Sequence, residues 1–398
     1  MEERTSRRAA LVLTPRLPWP EDDGGRIAMS QSIWAAAQAY DVTVISFVQD
    51  EGGPVSESWP HGVEVRTVAH RPPSTPIALT QGLFGKLPYT LARYRSAAFA
   101  RVVGDCVRTL RPAFALANHL HTASYVDRLD GVPLVLREHN LEHLWMSRYA
   151  EESLHGPARV YARFQARRLE AAERSFCQAA ALTLAIQDLE RDALRALAPG
   201  AWIETLPVGI DLDRFGEPRP AEPPIVLLAG SFAWPPTASG AVRFLEDGWP
   251  RVRAAVPDAR LRLVGKSQPD DLVQAARAAG ADIVPAVPSM AEEMARASVM
   301  VVPLWSGAGA RVKIMEALAA RLPVVATPIG AEGLGLEPGR HDVEGESAEE
   351  LGSLAGALLR DPKRRASLGR EGRAYAEAHW SQAVVARLQN ELVGRIAR

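Results

Sequence analysis

A short segment in the second half of the chain combines glycines, two cations and a carboxylate. It reads GAGARVKIMEA from Gly307 to Ala317, after the apolar run SVMVVPLW and at the start of a helical pattern. Unpaired N–H groups at a helix start attract phosphate, and glycines let a ligand approach the backbone closely. The segment therefore predicts a phosphate site lined by the backbone of Gly307, Ala308, Gly309 and Ala310.

The side chains that follow suit a nucleoside diphosphate. Arg311 and Lys313 add full positive charges, and an arginine can bind one phosphate through two N–H groups. Glu316 lies about one turn further along and can accept hydrogen bonds from a vicinal diol such as ribose. The alternative, a solvated basic helix start with a structural glutamate, stays open from the residues alone.

Histidines follow two apolar runs in the first half of the chain. His119 and His121 come after AFALAN, and His139 and Asn140 come after VPLVL. Ligands bind at the carboxyl ends of parallel strands, where an imidazole can hydrogen-bond a sugar hydroxyl. His139 is the first candidate, with the other three on the acceptor side; packing or capping is the alternative. The spacing of these histidines and Glu142 matches no zinc signature, so we predict no metal site.

Three further loops join a strand to a helix. WPEDDGGRIAM places Gly24 and Gly25 at a helix start, where their amides can face a ligand; the preceding acidic residues either cap the helix or line the acceptor side. GSFAWPPTASG places Gly230 and Ser231 after a strand, close to the expected nucleotide. IGAEGL places Glu332 at the mouth of the same site.

These residues must be positioned by alternating strands and helices. Short β-branched runs separated by helix-length segments indicate βα units on parallel sheets. The predicted strands are AALVLT, DVTVISF, VEVRTV, AFALAN, VPLVLRE, ALTLAI, WIETLPV, IVLLAG, ARLRLVG, ADIVPAV, SVMVVPL and LPVVATP. Helices are expected over 26–40, 90–110 and 157–178, and Thr237 is the expected N-cap of the helix after GSFAWPP.

The pattern divides into two α/β domains. DRFGEPRPAEPP is rich in proline and charge and has no periodicity, which is typical of a linker. We predict an N-terminal acceptor-binding domain over 1–211, a linker over 212–223, and a nucleotide-sugar-binding domain over 224–375. The last helix, 376–398, is expected to cross back onto the first domain. A two-domain protein of this kind tends to bind its ligands in the cleft between the domains.

Composition excludes several classes of protein. The chain has 398 residues, with 46 Lys and Arg against 47 Asp and Glu, so it lacks the basic excess of a general nucleic-acid binder. Cys106 and Cys177 form no metal or CxxC spacing and are expected to be buried free thiols. No apolar run is long enough to span a membrane, and AALVL is too short for a signal peptide. These features predict a cytoplasmic protein.

The segment GAGARVKIMEALAARLPVVATPIGAEGL resembles the donor site of family 4 glycosyltransferases, retaining enzymes of the GT-B fold. The pattern Gly-x-Gly-x-Arg-x-Lys-x-x-Glu-Ala is similar to a bacterial branch that makes exopolysaccharides and other cell-surface glycans. The segments TPRLPWPEDDGGRIAM, REHNLEH, LPVGIDLDRF and GSFAWPPTASG match further landmarks in family order. The resemblance therefore covers nearly the whole chain and implies two Rossmann-like, doubly wound domains that face each other.

The resemblance also implies the chemistry. A hexosyl group would move from a UDP- or GDP-sugar to a hydroxyl of a glycan, a lipid-linked or a small-molecule acceptor, with retention of configuration and no catalytic metal or other cofactor. Arg311 and Lys313 would stabilise the departing diphosphate, Glu316 would hold the ribose, and His139 would lie near the sugar. The wider family has a glutamate where Ala308 stands, and an arginine and a lysine where this chain reads GSFAWPPTASG.

Two other functions fit parts of the pattern. The same fold hosts nucleotide-sugar 2-epimerases, which need further acid–base groups, and Ala308 alone would fit a non-catalytic scaffold that binds nucleotide sugars. Separately, the basic amphipathic stretch 90–110 contains Arg93, Arg95, Arg101 and Arg108, and such stretches can rest on anionic membranes. It predicts peripheral contact with the inner membrane face, with a solvated helix face as the alternative.

Overall fold

The computed structural model describes residues 7–21, 23–48, 62–285, 287–307 and 309–397. Contacts between residues divide the chain into two compact units. Unit 1 comprises residues 1–209, 308–310 and 385–398, and unit 2 comprises residues 210–307 and 311–384.

Unit 1 contains a seven-stranded parallel sheet in the order β3-β2-β1-β4-β5-β6-β7. Its strands are β1 (Ala9–Thr14), β2 (Asp41–Val48), β3 (Val63–Ala69), β4 (Ala115–Asn118), β5 (Leu134–Arg137), β6 (Leu182–Ala185) and β7 (Ile203–Thr205). Its helices are α1 (Gly24–Ala37), α2 (Thr75–Phe84), α3 (Tyr89–Ala92), α4 (Ala97–Leu110), α5 (Leu120–Ala123), α6 (Glu142–Ser153), α7 (Gly156–Ala179) and α8 (Asp188–Leu197), with a 3₁₀ turn at Val126–Arg128.

Unit 2 contains a six-stranded parallel sheet in the order β10-β9-β8-β11-β12-β13. Its strands are β8 (Ile225–Ala229), β9 (Arg260–Val264), β10 (Asp282–Val284), β11 (Val299–Val302), β12 (Val324–Ala326) and β13 (Val343–Glu344). Its helices are α9 (Pro235–Arg243), α10 (Trp249–Ala255), α11 (Asp270–Ala278), α12 (Met290–Arg296), α13 (Val312–Ala319), α14 (Pro328–Ala331), α15 (Ala348–Arg360) and α16 (Pro362–His379), with a 3₁₀ turn at Leu212–Arg214 and a π-helical turn at Phe244–Gly248.

The last helix, α17 (Gln382–Gly394), packs within unit 1 from residue 385 onward. Gln389 Nε2 donates to the Ser32 carbonyl at 2.8 Å, and Asn390 Nδ2 donates to the Ala35 carbonyl at 2.8 Å. Val385 and Val393 are buried in the apolar cluster that also contains residues of the sheet. The helix therefore covers the face of the sheet that α1 also covers, through both apolar and polar contacts.

The prediction of two α/β domains with parallel sheets is confirmed. Each of the twelve predicted runs contains a strand. Central strands such as β4, β8 and β11 are buried along their whole length and are therefore almost entirely apolar, whereas the edge strand β3 carries charged residues. The short edge strand β13 was not predicted, and the expected helix 90–110 is interrupted between α3 and α4. Cys106 and Cys177 are buried free thiols, as predicted.

Candidate functional site

The predicted phosphate site is a loop between β11 and α13 of unit 2, of which residues 308–310 group with unit 1. We call residues 303–311 the glycine loop. Gly307 has φ 115° and Gly309 has φ 108°, conformations that favour glycine. A Cβ at Gly307 would lie 2.4 Å from the ring of Trp234, so the indole packs directly against this glycine. Ala308 lies outside the described residues, and Gly309 and Ala310 precede the N-cap of α13.

Arg311 is the N-cap of α13 and adopts the left-handed conformation with φ 48°. Its Nε and Nη2 donate to the Ile329 carbonyl at 3.2 and 2.9 Å, and Nη2 also donates to the Gly307 carbonyl at 3.2 Å. The side chain is 6% exposed. Because these nitrogens already bind backbone carbonyls, Arg311 holds the glycine loop against the segment after β12. Phosphate binding by Arg311 stays a prediction.

Lys313 lies in the first turn of α13, beside the end of strand β8. A Cβ at Gly230 would lie 2.8 Å from Lys313 Nζ, and φ at Gly230 is 149°. Burial and, secondarily, the charge of Arg311 lower the pKa of Lys313 to about 8. A bound anion would favour the ammonium form, so Gly230 and Lys313 form a pair suited to an anionic ligand.

The start of α9 differs from the sequence prediction. Its N-cap is Trp234, Pro235 and Pro236 are its first two residues, and Thr237 lies inside the helix and is buried. The expected Thr237 N-cap is therefore wrong. Prolines fit the first turn of a helix because their missing N–H groups would have no partner there, which moves the helix start toward Trp234.

Three other residues of unit 2 were predicted from the sequence to belong to this site. Glu316 is half-buried on α13, three residues after Lys313. Ser231 is exposed and follows Gly230, and Glu332 is exposed at the C-cap of α14. The structure thus places Gly230 and Lys313 together, whereas the roles of Glu316, Ser231 and Glu332 stay predictions.

In unit 1 three histidines form a group at the ends of β4 and β5, and we call His119, His121 and His139 the histidine cluster. The His119 ring stacks on the His139 ring at 3.8 Å between centroids and 19° between planes. His119 adopts φ 66°, and its N–H donates to the Arg137 carbonyl at 2.9 Å. His139 is 4% exposed, and its Nε2 lies 3.2 Å from Asn118 Oδ1.

Burial keeps the imidazoles of the cluster neutral at physiological pH. It lowers the pKa of His121 to about 4, and together with neighbouring charges it lowers the pKa values of His119 and His139 well below the usual range. Within the described part of the chain, the buried Nδ1 atoms of His121 and His139 have no hydrogen-bond partner. A neutral imidazole both donates and accepts hydrogen bonds, which suits a neutral polar ligand such as a sugar hydroxyl.

Glu142, the first residue of α6, lies beside this cluster, although the sequence predicted neither a metal site nor a ligand contact for it. Ligand atoms of His119, His121 and Glu142 all lie within 4.8 Å of one another. Burial, followed by the charge of Glu173, raises the pKa of Glu142 to about 7. This grouping is compact enough to hold a divalent cation, so the expectation of no metal stays a prediction.

The only sequence signal for this grouping was the order of the residues. His119 and His121 follow strand β4, and His139 follows strand β5. These two strands are neighbours in the sheet. Asn140 lies half-buried just before α6. Beneath the cluster, Arg137 is 1% exposed and donates to the carbonyls of Leu206 and Pro207, which ties the end of β5 to the chain after β7.

Gly24 and Gly25 begin α1, and Asp23 caps the helix by accepting from the Arg26 N–H at 3.0 Å. Arg16 Nη2 lies 2.7 Å from Asp23 Oδ1 and would lie 3.0 Å from a Cβ at Gly25. The acidic residue before the glycines is therefore a helix cap held by an arginine. The amides of Gly24 and Gly25 stay candidates for ligand contact.

The stretch 90–110, which was predicted to contact a membrane, has its apolar side in the core of unit 1. In α4, Phe99, Val103, Cys106 and Val107 are buried, and the exposed Arg108 pairs with Asp105. This helix presents a charged and polar surface, so it has no apolar face for a bilayer. Among the described residues, no helix is both long enough and apolar enough to span a membrane.

Two family models together match most of the chain. "Glycosyltransferase Family 4" matches residues 24–214, and "Glycosyl transferases group 1" matches residues 223–361. The chain thus belongs to glycosyltransferase family 4, which confirms the family predicted from the sequence; the exopolysaccharide branch stays a prediction.

Two relatives with similar sequences are mannosyltransferases. A stretch of 217 residues is 30% identical to a GDP-mannose-dependent monoacylated alpha-(1-6)-phosphatidylinositol monomannoside mannosyltransferase of Corynebacterium glutamicum. It covers 48% of this chain and 55% of that protein, so the match spans little more than half of the relative's length. A GDP-mannose-dependent alpha-(1-6)-phosphatidylinositol monomannoside mannosyltransferase of Mycolicibacterium smegmatis is 28% identical over 319 residues, 69% of this chain and 80% of that protein.

Among solved structures, HepE from Anabaena, crystallised with UDP and glucose, has a TM-score of 0.70. It is 14% identical, and the match covers 98% of this chain and 100% of that chain. Together with the two parallel sheets, this likeness confirms the predicted GT-B fold.

Proposed function

We propose that the chain is a retaining glycosyltransferase that moves a hexosyl group from a nucleoside diphosphate sugar to an acceptor hydroxyl. The observation that carries the proposal is Lys313 beside Gly230, at the carboxyl end of β8. An ammonium group next to a residue without a side chain offers charge and space to a phosphate. Membership of family 4 supports a nucleoside diphosphate sugar as the ligand.

On this proposal, unit 2 binds the donor and stabilises the leaving group. Lys313 supplies charge to the departing diphosphate, the amides of the glycine loop add hydrogen bonds, and Arg311 keeps that loop in shape. Glu316 accepts hydrogen bonds from the ribose. These interactions strengthen as negative charge develops on the diphosphate, so they lower the barrier rather than only binding the donor.

Unit 1 provides the polar surface for the sugar and the acceptor. His139 is proposed to hydrogen-bond the transferred sugar, and His119, His121 and Asn140 to orient the acceptor. The neutral state of the imidazoles fits hydrogen bonding to hydroxyl groups. Transfer is proposed to proceed without a metal ion on the diphosphate, because Lys313 and backbone N–H groups supply the positive charge there.

The two relatives use GDP-mannose, which makes it the first donor to test, followed by UDP-sugars because HepE was crystallised with UDP. Their names also make a mannosylated glycolipid the first acceptor to test. The cytoplasmic location and a role in surface polysaccharide synthesis stay predictions.

The test measures thermal shifts with GDP, UDP, ADP and TDP, with EDTA or magnesium, on the wild type and on Lys313→Ala. We expect one diphosphate to stabilise the wild type in EDTA and to have little effect on the variant. Lys363→Ala, which removes an exposed lysine on α16, serves as the matched control. A wild type that no nucleotide stabilises would contradict the donor site.

Product analysis then separates transfer from the other two functions. A transferase releases nucleoside diphosphate faster when acceptor is added, and the product linkage keeps the donor's anomeric configuration. Conversion of the donor to its 2-epimer without acceptor would identify an epimerase, and binding without turnover a scaffold. Turnover that EDTA abolishes, that magnesium or zinc restores, and that Glu142→Gln loses would overturn the metal-free proposal.

A further inference from the structure

Helix α2 is attached to unit 1 through two very small residues. Ala78 is fully buried, and Gly82 lies against α7 and α3, where an added Cβ would meet Tyr161 Oη at 2.4 Å and Tyr89 Cβ at 2.9 Å. Gln165 Nε2 donates to the Gly82 carbonyl at 2.9 Å, and Arg168 donates to the same carbonyl. The helix is thus fixed in place while its large side chains stay outside the core.

Those large side chains are apolar and exposed to an unusual degree. Phe84 is 86% exposed, Ile77 54%, and Leu83 45%. Exposing several large apolar side chains on one ten-residue helix is unfavourable in water, because apolar surface is stabilised by burial. A contiguous apolar patch on a monomer marks an interaction surface.

Helix α7 extends the same surface. Tyr161, Gln165 and Arg168 of α7 contact α2, and Val160 and Phe164 are their immediate neighbours on the helix. Val160 is 68% and Phe164 is 41% exposed. These two residues are four apart and therefore share one face, which flanks the seam between the helices. We call Ile77, Leu83, Phe84, Val160 and Phe164 the apolar surface.

A cationic pocket of about 690 Å³ lies at the C-terminal end of α2, bounded by Gln81 and Gly85. Its charged or titratable lining residues are His70, Arg71, Lys86, Arg95 and Asp127. Among the described lining residues, three permanent cations outnumber one carboxylate, and Arg95 lies 3.9 Å from that carboxylate of Asp127. A pocket of this size and charge suits a phosphate-bearing headgroup.

We propose that the apolar surface and this pocket together dock unit 1 on an anionic phospholipid bilayer. The apolar side chains would enter the boundary between headgroups and acyl chains, and the pocket would receive a lipid phosphate. Apolar insertion next to cations is what distinguishes an interfacial membrane surface from a protein interface, whose centre is depleted of charge. The inference concerns a surface outside the donor loop and does not depend on the proposed transfer.

The test is co-sedimentation of the full chain with phosphatidylcholine vesicles and with vesicles that contain about 30% phosphatidylglycerol. We expect binding to the anionic vesicles that weakens with added salt. The double variant Ile77→Glu/Phe84→Glu should lose at least about tenfold in binding. Leu189→Glu, which alters a 56% exposed leucine on α8, should bind like the wild type.

A second pair of variants tests the charge. Lys86→Glu should bind anionic vesicles several-fold more weakly, whereas Lys363→Glu on α16 should not. Circular dichroism and the thermal shift with a nucleoside diphosphate verify folding and the donor site of every variant. Equal vesicle binding by the Ile77→Glu/Phe84→Glu variant would overturn the inference. Failure of the wild type to bind any of the vesicles would also overturn it. A dimeric wild type together with a monomeric double variant would do the same, because the surface would then be a protein interface.

Discussion

The glycine loop and the histidine cluster each lie beside a half-buried ionisable group, Lys313 and Glu142, and the two groups suit different ligands. In unit 2, burial lowers the pKa of Lys313, and a nearby anion would reverse this shift. In unit 1, burial raises the pKa of Glu142, and a hydrogen-bond donor or a cation would relieve the cost of its charge. The direction of each shift therefore fits an anionic ligand beside Lys313 and a hydrogen-bond donor or a cation beside Glu142.

The two regions are also built differently. The glycine loop depends on backbone geometry: glycines at positive φ, a ring packed on Gly307, and an arginine that holds carbonyls. The histidine cluster depends on side chains that pack on one another at the ends of neighbouring strands. Substitutions should therefore affect one site without the other, which makes the comparison testable.

The largest effect is expected for Lys313→Ala. Loss of the ammonium group should reduce kcat/KM for transfer about 100- to 1000-fold, because charge on the leaving diphosphate loses its stabilisation. Steady-state kinetics with GDP-mannose or the donor named by the thermal shifts measures this, with Lys363→Ala as control. If Lys313→Ala kept wild-type kinetics, the assignment of the donor site to Gly230 and Lys313 would be wrong.

A smaller loss is expected for His139→Ala. Removing one hydrogen bond to a sugar hydroxyl should reduce kcat/KM about 10- to 100-fold while the thermal shift with the diphosphate is unchanged. His139→Asn, which keeps a hydrogen-bonding group, should recover part of the loss. A variant that no longer responds to the diphosphate would show that the two sites cannot be separated in this way.

Glu142→Gln should stabilise the protein at neutral pH. A carboxyl group whose pKa is raised to about 7 in the folded state lowers stability as pH rises from about 4.5 to 7, because the folded state then binds more protons than the unfolded state. The amide removes this cost, by about 2 kcal/mol at pH 8 and by almost nothing at pH 4. Denaturant unfolding at the two pH values measures the difference, and equal effects at both would contradict the raised pKa.

The smallest effect is the pH dependence of diphosphate binding. Lys313 has a pKa of about 8 in the free protein and should bind a proton when the diphosphate arrives. Affinity is then expected to fall a few-fold between about pH 7 and 9. Calorimetry in two buffers with different ionisation enthalpies detects the proton uptake. Lys313→Arg should bind without this pH dependence, since arginine keeps its charge throughout.

The sequence predicted what is encoded locally. Strands buried on both faces appear as continuous apolar runs. In GAGARVKIMEA, the glycines lie in one loop and Lys313 lies in the helical turn that follows it. The sequence did not reveal that the Arg311 side chain would bind backbone carbonyls, because one of them, that of Ile329, lies 18 residues further along the chain. Nor did it show Glu142 beside two histidines, since that proximity arises from the pairing of β4 with β5 and the start of α6. The two-residue strand β13 is too short to leave a pattern.

The lowered pKa of Lys313 beside Gly230 also affects how this lysine reacts with acylating reagents. With a pKa of about 8, roughly a tenth of its amine is neutral at pH 7, whereas an ordinary lysine amine is neutral in about one molecule of a few thousand. The neutral amine is the nucleophile, so acylating agents at low dose should modify Lys313 ahead of exposed lysines that they can reach equally well. A bound diphosphate would restore the proton and protect the amine, which turns this side chain into an internal reporter of donor occupancy.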